Sequence, residues 1–199
     1  LYAATLRAKS GDVDGAVAQV EQMLEQDPDN DELLYSLGLI FAEAGRSEDA
    51  LRSMQRALEQ NPDHANALNY VGYSLAERGE RLDDSERMIA RALELRPEDG
   101  YITDSLGWLY FMRAREHQSA GRSALARSFA ERARAQLARA AALTGGDPVI
   151  SEHLGDIDLF EGDKAAALRR YEEALQQDPR PSEQPQLLEK LEQLRRELR

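Results

Sequence analysis

The sequence predicts an all-α fold made of repeated helical hairpins. Glycines that follow Leu or Val recur at a spacing of about 34 residues, at Gly38, Gly72 and Gly107. Prolines repeat in step with them, because Pro28 and Pro62 are as far apart as Gly38 and Gly72. Alanine, leucine, glutamate and arginine are abundant, and these residues favour helix. Runs of alternating β-branched residues, which would predict strands, are scarce.

Small and large apolar residues occupy the same places in successive repeats. In the second repeat they are Leu34, Leu37, Gly38, Phe41, Ala50, Met54, Ala57 and Pro62. This arrangement resembles the tetratricopeptide repeat, whose pattern is W-x₂-L-G-x₂-Y, then A-x₃-F, then A, then P. The resemblance covers about residues 1–179 in five registers, the first of them incomplete. It implies antiparallel helix pairs that stack into a right-handed superhelix.

We expect five repeats and a closing helix. A second glycine in four repeats, at Gly11, Gly45, Gly79 and Gly162, should end the first helix in a left-handed conformation. The expected boundaries are 1–30 (partial), 31–64, 65–99, 100–147 and 148–181 for the repeats, and 182–199 for a C-terminal capping helix.

The closing helix carries an apolar stripe of Leu187, Leu191, Leu194 and Leu198. A stripe of this kind covers the open end of a repeat array, or it pairs with a second copy in a coiled coil. We favour the cap, because two heptads are fewer than the three or four that indicate a coiled coil.

The fourth repeat is longer than the others. The stretch from Gly107 to the turn glycine Gly121 is twice as long as the equivalent stretch from Gly38 to Gly45. The second helix, counted from each turn glycine to the following alanine of the pattern, gains the same length. The gain on each helix is about two turns, or about 10 Å. We therefore predict a protruding hairpin whose tip is residues 119–122.

The resemblance also implies that the first helix of each repeat lines a concave face that binds a peptide. The predicted groove residues are Tyr35, Asn69, Tyr73, Tyr101, Asp104, Trp108, Phe111, Glu152 and Asp156. Aromatic and acidic side chains of this kind favour a peptide or helix with apolar anchors and basic residues nearby. The alternatives are burial between helices for Tyr101, Trp108 and Phe111, and simple solvation for the carboxylates.

The long hairpin predicts a possible second contact surface. Between Arg113 and Arg139 there are seven arginines and two glutamates, a net charge of +5, which leaves −17 for the rest of a chain whose net charge is −12. The candidate contact residues are Arg113, Arg115, Arg122 and Arg127. An acidic protein or an anionic lipid surface would suit them, although arginine also serves simply to solvate a helix.

Several classes of function are disfavoured. A net charge of −12 argues against nucleic-acid binding. The absence of cysteine excludes disulfides and thiolate sites. His64, His117 and His153 lack the spacing of metal ligands, and no catalytic or phosphate-binding motif is present. We therefore predict a non-enzyme with no cofactor and no metal. No apolar run approaches the roughly 20 residues of a membrane span.

The predicted function is protein binding, as an adaptor or assembly scaffold. The alternative is a structural module that self-associates through its first repeat or its leucine stripe. Residues 104–108 and 152–156 resemble repeats of bacterial envelope tetratricopeptide lipoproteins, which implies a periplasmic or envelope location, with the cytoplasm otherwise. Because Leu1 is not an initiator methionine and no signal-peptide pattern follows it, we expect the chain to be an excised or processed fragment.

Overall fold

Eleven α-helices, and no strand, make up residues 1–177 and 185–198, the parts of the chain that the computed structural model describes. In chain order they are α1 (Tyr2–Lys9), α2 (Val13–Gln26), α3 (Asp31–Glu43), α4 (Ser47–Gln60), α5 (Ala65–Arg78), α6 (Leu82–Leu95), α7 (Gly100–Ser119), α8 (Ser123–Thr144), α9 (Pro148–Phe160), α10 (Lys164–Gln177) and α11 (Pro185–Glu197). The all-α prediction is confirmed. Among these helices none has the length and hydropathy needed to cross a bilayer.

The acidic turns cap the helices that follow them. The side chain of Asn30 accepts a hydrogen bond from the Leu33 amide at the start of α3. Asp99 does the same at the start of α7, and Asp147 at the start of α9, where Pro148 follows. Proline suits a first helical position because no amide donor is needed there. These contacts fix where α3, α7 and α9 begin.

Small residues let the two helices of a hairpin approach closely. A Cβ atom added to Gly38 would lie 2.7 Å from the Cε of Met54. One added to Gly155 would lie 2.5 Å from the ring of Tyr171. Such distances are shorter than van der Waals contact, so these positions admit only glycine without repacking. The glycine that recurs in each repeat therefore marks the point where the two helices of a hairpin cross.

The lengthened fourth hairpin is present. Helix α7 has 20 residues against 13 in α3, and α8 has 22 against 14 in α4. Each arm is therefore longer than its counterpart by the predicted two turns. Gly121, with φ of 71°, turns the chain between the arms. The backbone can take this left-handed conformation cheaply because glycine has no Cβ.

The contacts divide the chain into two units. The N-terminal unit comprises Leu1–Leu75 and Asp83–Leu95, and the C-terminal unit comprises Ala76–Leu82 and Arg96–Arg199. The N-terminal core includes Val20, Leu34 and Met54, which are fully buried. The C-terminal core is centred on residues of α7, α8 and α9. The candidate functional site belongs to this second unit.

Helix α11 caps the last hairpin of the C-terminal unit. Leu187, Leu191 and Leu194 are each 2% exposed and pack on Ala167, Tyr171 and Ala174 of α10, whereas Leu198 is 46% exposed. Three of the four stripe leucines are therefore used inside the chain. The expected start of the cap at position 182, and the repeat end at 181, fall outside the described residues.

Candidate functional site

An apolar cleft of about 430 Å³ is lined by side chains of α7, α9 and α11. Its lining residues are Trp108, Phe111, Arg115, Asp156, Leu159, Phe160 and Lys190, and we call it the aromatic cleft. Three of them lie on one face of α7, because steps of three and four residues return to the same side of a helix. Helix α9 supplies the opposite wall and α11 supplies Lys190.

Aromatic rings pack against one another along the cleft. The rings of Trp108 and Phe111 have centroids 5.2 Å apart at 44°. Phe111 meets Phe160 edge-on, at 5.6 Å and 81°. Leu159 beside them is 37% exposed. Pairs of rings in these geometries stabilise each other by roughly 0.5–1.5 kcal/mol beyond their burial, so the walls of the cleft are held in place.

Behind the cleft, a buried polar pair supports Trp108. The imidazole of His153 stacks on the Trp108 ring, with centroids 4.2 Å apart and planes at 22°. His153 Nδ1 lies 2.8 Å from Asp104 Oδ1, and the two residues are 5% and 7% exposed. A buried carboxylate requires such a partner. The pair therefore sets the position of the ring on which Trp108 rests.

A cluster of charged groups surrounds Lys190, which also lines the cleft. Its ammonium donates to Glu152 Oε1 at 2.7 Å and to both carboxylate oxygens of Asp156 at 2.8 Å. The hydroxyl of Tyr171 also donates to Asp156 Oδ1, at 2.5 Å. Helix α11 is thus tied to α9 by charge as well as to α10 by leucines.

The pKa values of Lys190 and Tyr171 are both raised within this cluster. Burial acts to lower the pKa of Lys190, but the attraction of Asp156 and the hydrogen bonds to Asp156 and Glu152 outweigh it and raise the pKa. Burial, with the negative charge of Asp156, raises the pKa of Tyr171 well above its ordinary value. Both groups therefore stay protonated at neutral pH.

The structure brings together only part of the predicted groove. Trp108, Phe111 and Asp156 line the aromatic cleft. Asp104 lies buried against His153, and Glu152 is held by Lys190. Tyr101 is 62% exposed and lines a separate depression with Leu143 and Thr144 at the turn before α7. All three acidic groove residues therefore already have partners within the chain.

The remaining groove residues belong to the N-terminal unit. Tyr35 is half-buried, and its ring lies 4.7 Å from that of His64 at 39°. Asn69 and Tyr73, both on α5, are also half-buried. Their sharing of one groove with Trp108 stays a prediction.

Most arginines of the long hairpin have structural contacts. Arg113 lies over the Phe129 ring at 5.9 Å, and Arg122 is 4.0 Å from Glu116. Arg115 reaches the aromatic cleft, and Arg127 is exposed. The four residues have different surroundings in the part of the chain that the structure describes. A second contact surface on the hairpin stays a prediction.

Sequence reasoning did not assign Phe160, Lys190 or His153 to the site. Phe160 is the last residue of α9, next to the turn, where the repeat pattern makes no demand. Lys190 lies far from Asp156 in sequence, so only the fold brings them together. A usable signal existed for His153, since it directly follows Glu152, a predicted inward position.

One family profile and several solved structures are similar to this chain. The tetratricopeptide repeat family profile matches residues 7–71. That stretch belongs to the N-terminal unit, and it ends in sequence before Trp108, the first residue of the aromatic cleft. No curated protein sequence matches the chain.

Solved structures resemble this chain along most of its length. TTC0263, a thermophilic TPR protein of Thermus thermophilus, is 20% identical with a TM-score of 0.70, and the match covers 96% of each chain. The pilF protein of Pseudomonas aeruginosa is 16% identical with a TM-score of 0.64, over 97% of this chain and 86% of that one. YrrB, described as a TPR protein with an unusual peptide-binding site, is 18% identical with a TM-score of 0.56, over 88% and 83%. At these identities the likeness establishes the fold, and similarity to envelope lipoproteins stays a prediction.

Proposed function

We propose that this chain, a tetratricopeptide-repeat protein in sequence and fold, is a protein-binding adaptor or assembly scaffold without enzymatic activity. In this proposal the aromatic cleft holds an apolar side chain from a peptide or helix of another protein. The observation that carries it is the arrangement of Trp108, Phe111, Leu159 and Phe160 around one open space.

The size and lining of the cleft support an anchoring role. Its volume of about 430 Å³ falls within the roughly 300–1,000 Å³ of small-ligand pockets. Aromatic residues that surround a desolvated anchor commonly supply most of the energy of a protein interface. Because ring contacts and the Asp104–His153 pair already order these walls, little conformational entropy would be lost on binding.

Peptide selection tests this proposal directly. A random dodecamer peptide library is displayed on phage and selected on the intact chain, and the enriched peptides are then measured against Leu159→Ala. Leu159 is 37% exposed, so its truncation should weaken binding without unfolding the chain. Leu188→Ala is the matched control, because Leu188 is 36% exposed on α11 and does not line the cleft.

We expect Leu159→Ala to weaken binding about fivefold to thirtyfold, and Leu188→Ala to leave it unchanged, since a buried leucine side chain contributes on the order of 1–2 kcal/mol. Peptides that bind both variants like the parent chain would place the site elsewhere. A selection without enrichment would remove peptide binding as the function.

The alternative is self-association through the first repeat. Tyr2 is 79% exposed and Leu6 49% exposed on α1. The leucine stripe supports this alternative less, because three of its leucines are buried on α10. Light scattering over a concentration series separates the two functions. A dimer that Leu6→Ser dissociates would favour self-association, and a monomer at all concentrations would exclude it.

A further inference from the structure

We propose that the partner segment in the aromatic cleft carries an acidic side chain, Asp or Glu, next to its apolar anchor, and that Arg115 binds this carboxylate. The inference rests on the proposed peptide binding. The sequence alone indicates a preference for basic partners. The structure favours acidic ones, because the carboxylates at the cleft are already paired within the chain.

The carboxylates near the cleft are satisfied within the chain. Lys190 donates to Glu152 and to both oxygens of Asp156, and Asp104 is bonded to buried His153. A lysine or arginine of a partner would have to displace Lys190, and with it the polar link between α11 and α9. Breaking a partly buried ion pair of this kind is costly, so these carboxylates attract an external cation weakly.

Arg115 differs from Lys190. Its guanidinium contacts the sulfur of Met112 at 3.6 Å and lies 5.9 Å from the centre of the Phe111 ring. Within residues 1–177 and 185–198, no carboxylate lies within ion-pair distance of Arg115. An arginine beside an apolar cleft binds carboxylates well, because its planar fork can donate two parallel hydrogen bonds.

The surrounding charge favours the same partner. The hairpin segment that contains Arg115 has a net charge of +5, although the whole chain is at −12. Glu116, the nearest acidic residue in sequence, lies 4.0 Å from Arg122. The segment that carries Arg115 therefore attracts an acidic partner more than a basic one through its summed charge.

A charge exchange tests the inference. The probe is the tightest peptide from the selection that loses affinity on Leu159→Ala, made in its parent form and with its Asp and Glu residues replaced by Lys. Each form is titrated against the intact chain and against Arg115→Glu. Arg169→Glu is the control, because Arg169 is an exposed residue of α10 outside the cleft, and its substitution changes the net charge equally.

We expect Arg115→Glu to weaken the acidic peptide about tenfold, as loss of a hydrogen-bonded charge pair does. The lysine peptide should bind Arg115→Glu better than it binds the parent chain, and Arg169→Glu should behave like the parent. Selected peptides that depend on Leu159 but lack acidic residues, or acidic peptides indifferent to Arg115→Glu, would overturn the inference and leave the proposed function standing. Binding that does not depend on Leu159 would overturn both.

Discussion

The carboxylate of Asp104 lies 2.8 Å from Nδ1 of His153, a residue 49 positions later in the chain. Both side chains are almost completely buried, and the imidazole carries the Trp108 ring on its face. A polar pair in this place fixes one orientation of the imidazole, because a buried acceptor left without a donor is costly. We infer that the pair positions the tryptophan wall of the aromatic cleft.

Removal of the Asp104 carboxylate should loosen that wall. We expect Asp104→Ala to lower the free energy of unfolding by about 1–3 kcal/mol, because it removes the partner of a buried imidazole nitrogen. Asp104→Asn should cost less, since the amide can still hydrogen-bond. Urea unfolding followed by Trp108 emission measures both effects. Asp29→Ala, at an exposed turn, serves as the control and should stay within about 0.5 kcal/mol of the parent. An Asp104→Ala variant that matches this control would show that the pair is dispensable.

The Lys190 cluster should make the C-terminal cap sensitive to alkaline pH. The pKa values of Lys190 and Tyr171 are raised above their ordinary values of 10.5 and 10.0. A raised pKa in the folded state means that the stabilisation is fully present below the ordinary value and is lost as pH rises through the raised one. Hydrogen exchange of α11 amides, corrected for the intrinsic rate, should therefore show constant protection up to about pH 10 and a decline above it.

The matched substitutions for this cluster are Lys190→Met and Lys164→Met. Lys190→Met should reduce the stability of α11 docking by about 1–2 kcal/mol at neutral pH, a modest figure because solvent screens part of the pair. Lys164 forms an ion pair with Glu197 in which both side chains are well exposed, so its replacement should have little effect. Equal protection of α11 in the two variants would argue against a structural role for the cluster.

The helix crossing at Gly107 in the long hairpin should not tolerate a methyl group. A Cβ atom at Gly107 would lie 2.7 Å from Leu137 side-chain atoms and 3.2 Å from the Leu137 backbone nitrogen. We expect Gly107→Ala to destabilise the chain by about 1–3 kcal/mol through overpacking. At Gly15 the methyl group would meet only the ends of the Arg7 and Asp12 side chains, and alanine favours helix over glycine by up to about 1 kcal/mol, so Gly15→Ala should not destabilise the chain. Thermal unfolding compares them, and a tolerated Gly107→Ala would contradict the packing described.

Local spacing explains what the sequence could predict. Gly107 and Gly121 set the length of α7, and the steps from Trp108 to Phe111 and Arg115 place three side chains on one helical face. The contacts that Lys190 of α11 makes with α9 left no such spacing signal in the sequence. The face of α11 that presents Lys190 is set by how the leucines of α11 dock on α10. Because Lys190 then pairs with Asp156 and Glu152, the charge left without a partner among the described residues at the cleft is that of Arg115.

Emission from Trp108 reports directly on whether a peptide occupies the aromatic cleft, because Trp108 is the only tryptophan of the chain and lies in the cleft wall. A peptide obtained by selection, free of tryptophan, is titrated while its binding is followed independently by the anisotropy of a label on the peptide. If the cleft binds the anchor, Trp108 emission shifts to shorter wavelength and saturates with the same midpoint as the anisotropy, because an apolar anchor excludes water from the indole. Saturated binding with unchanged Trp108 emission would contradict it.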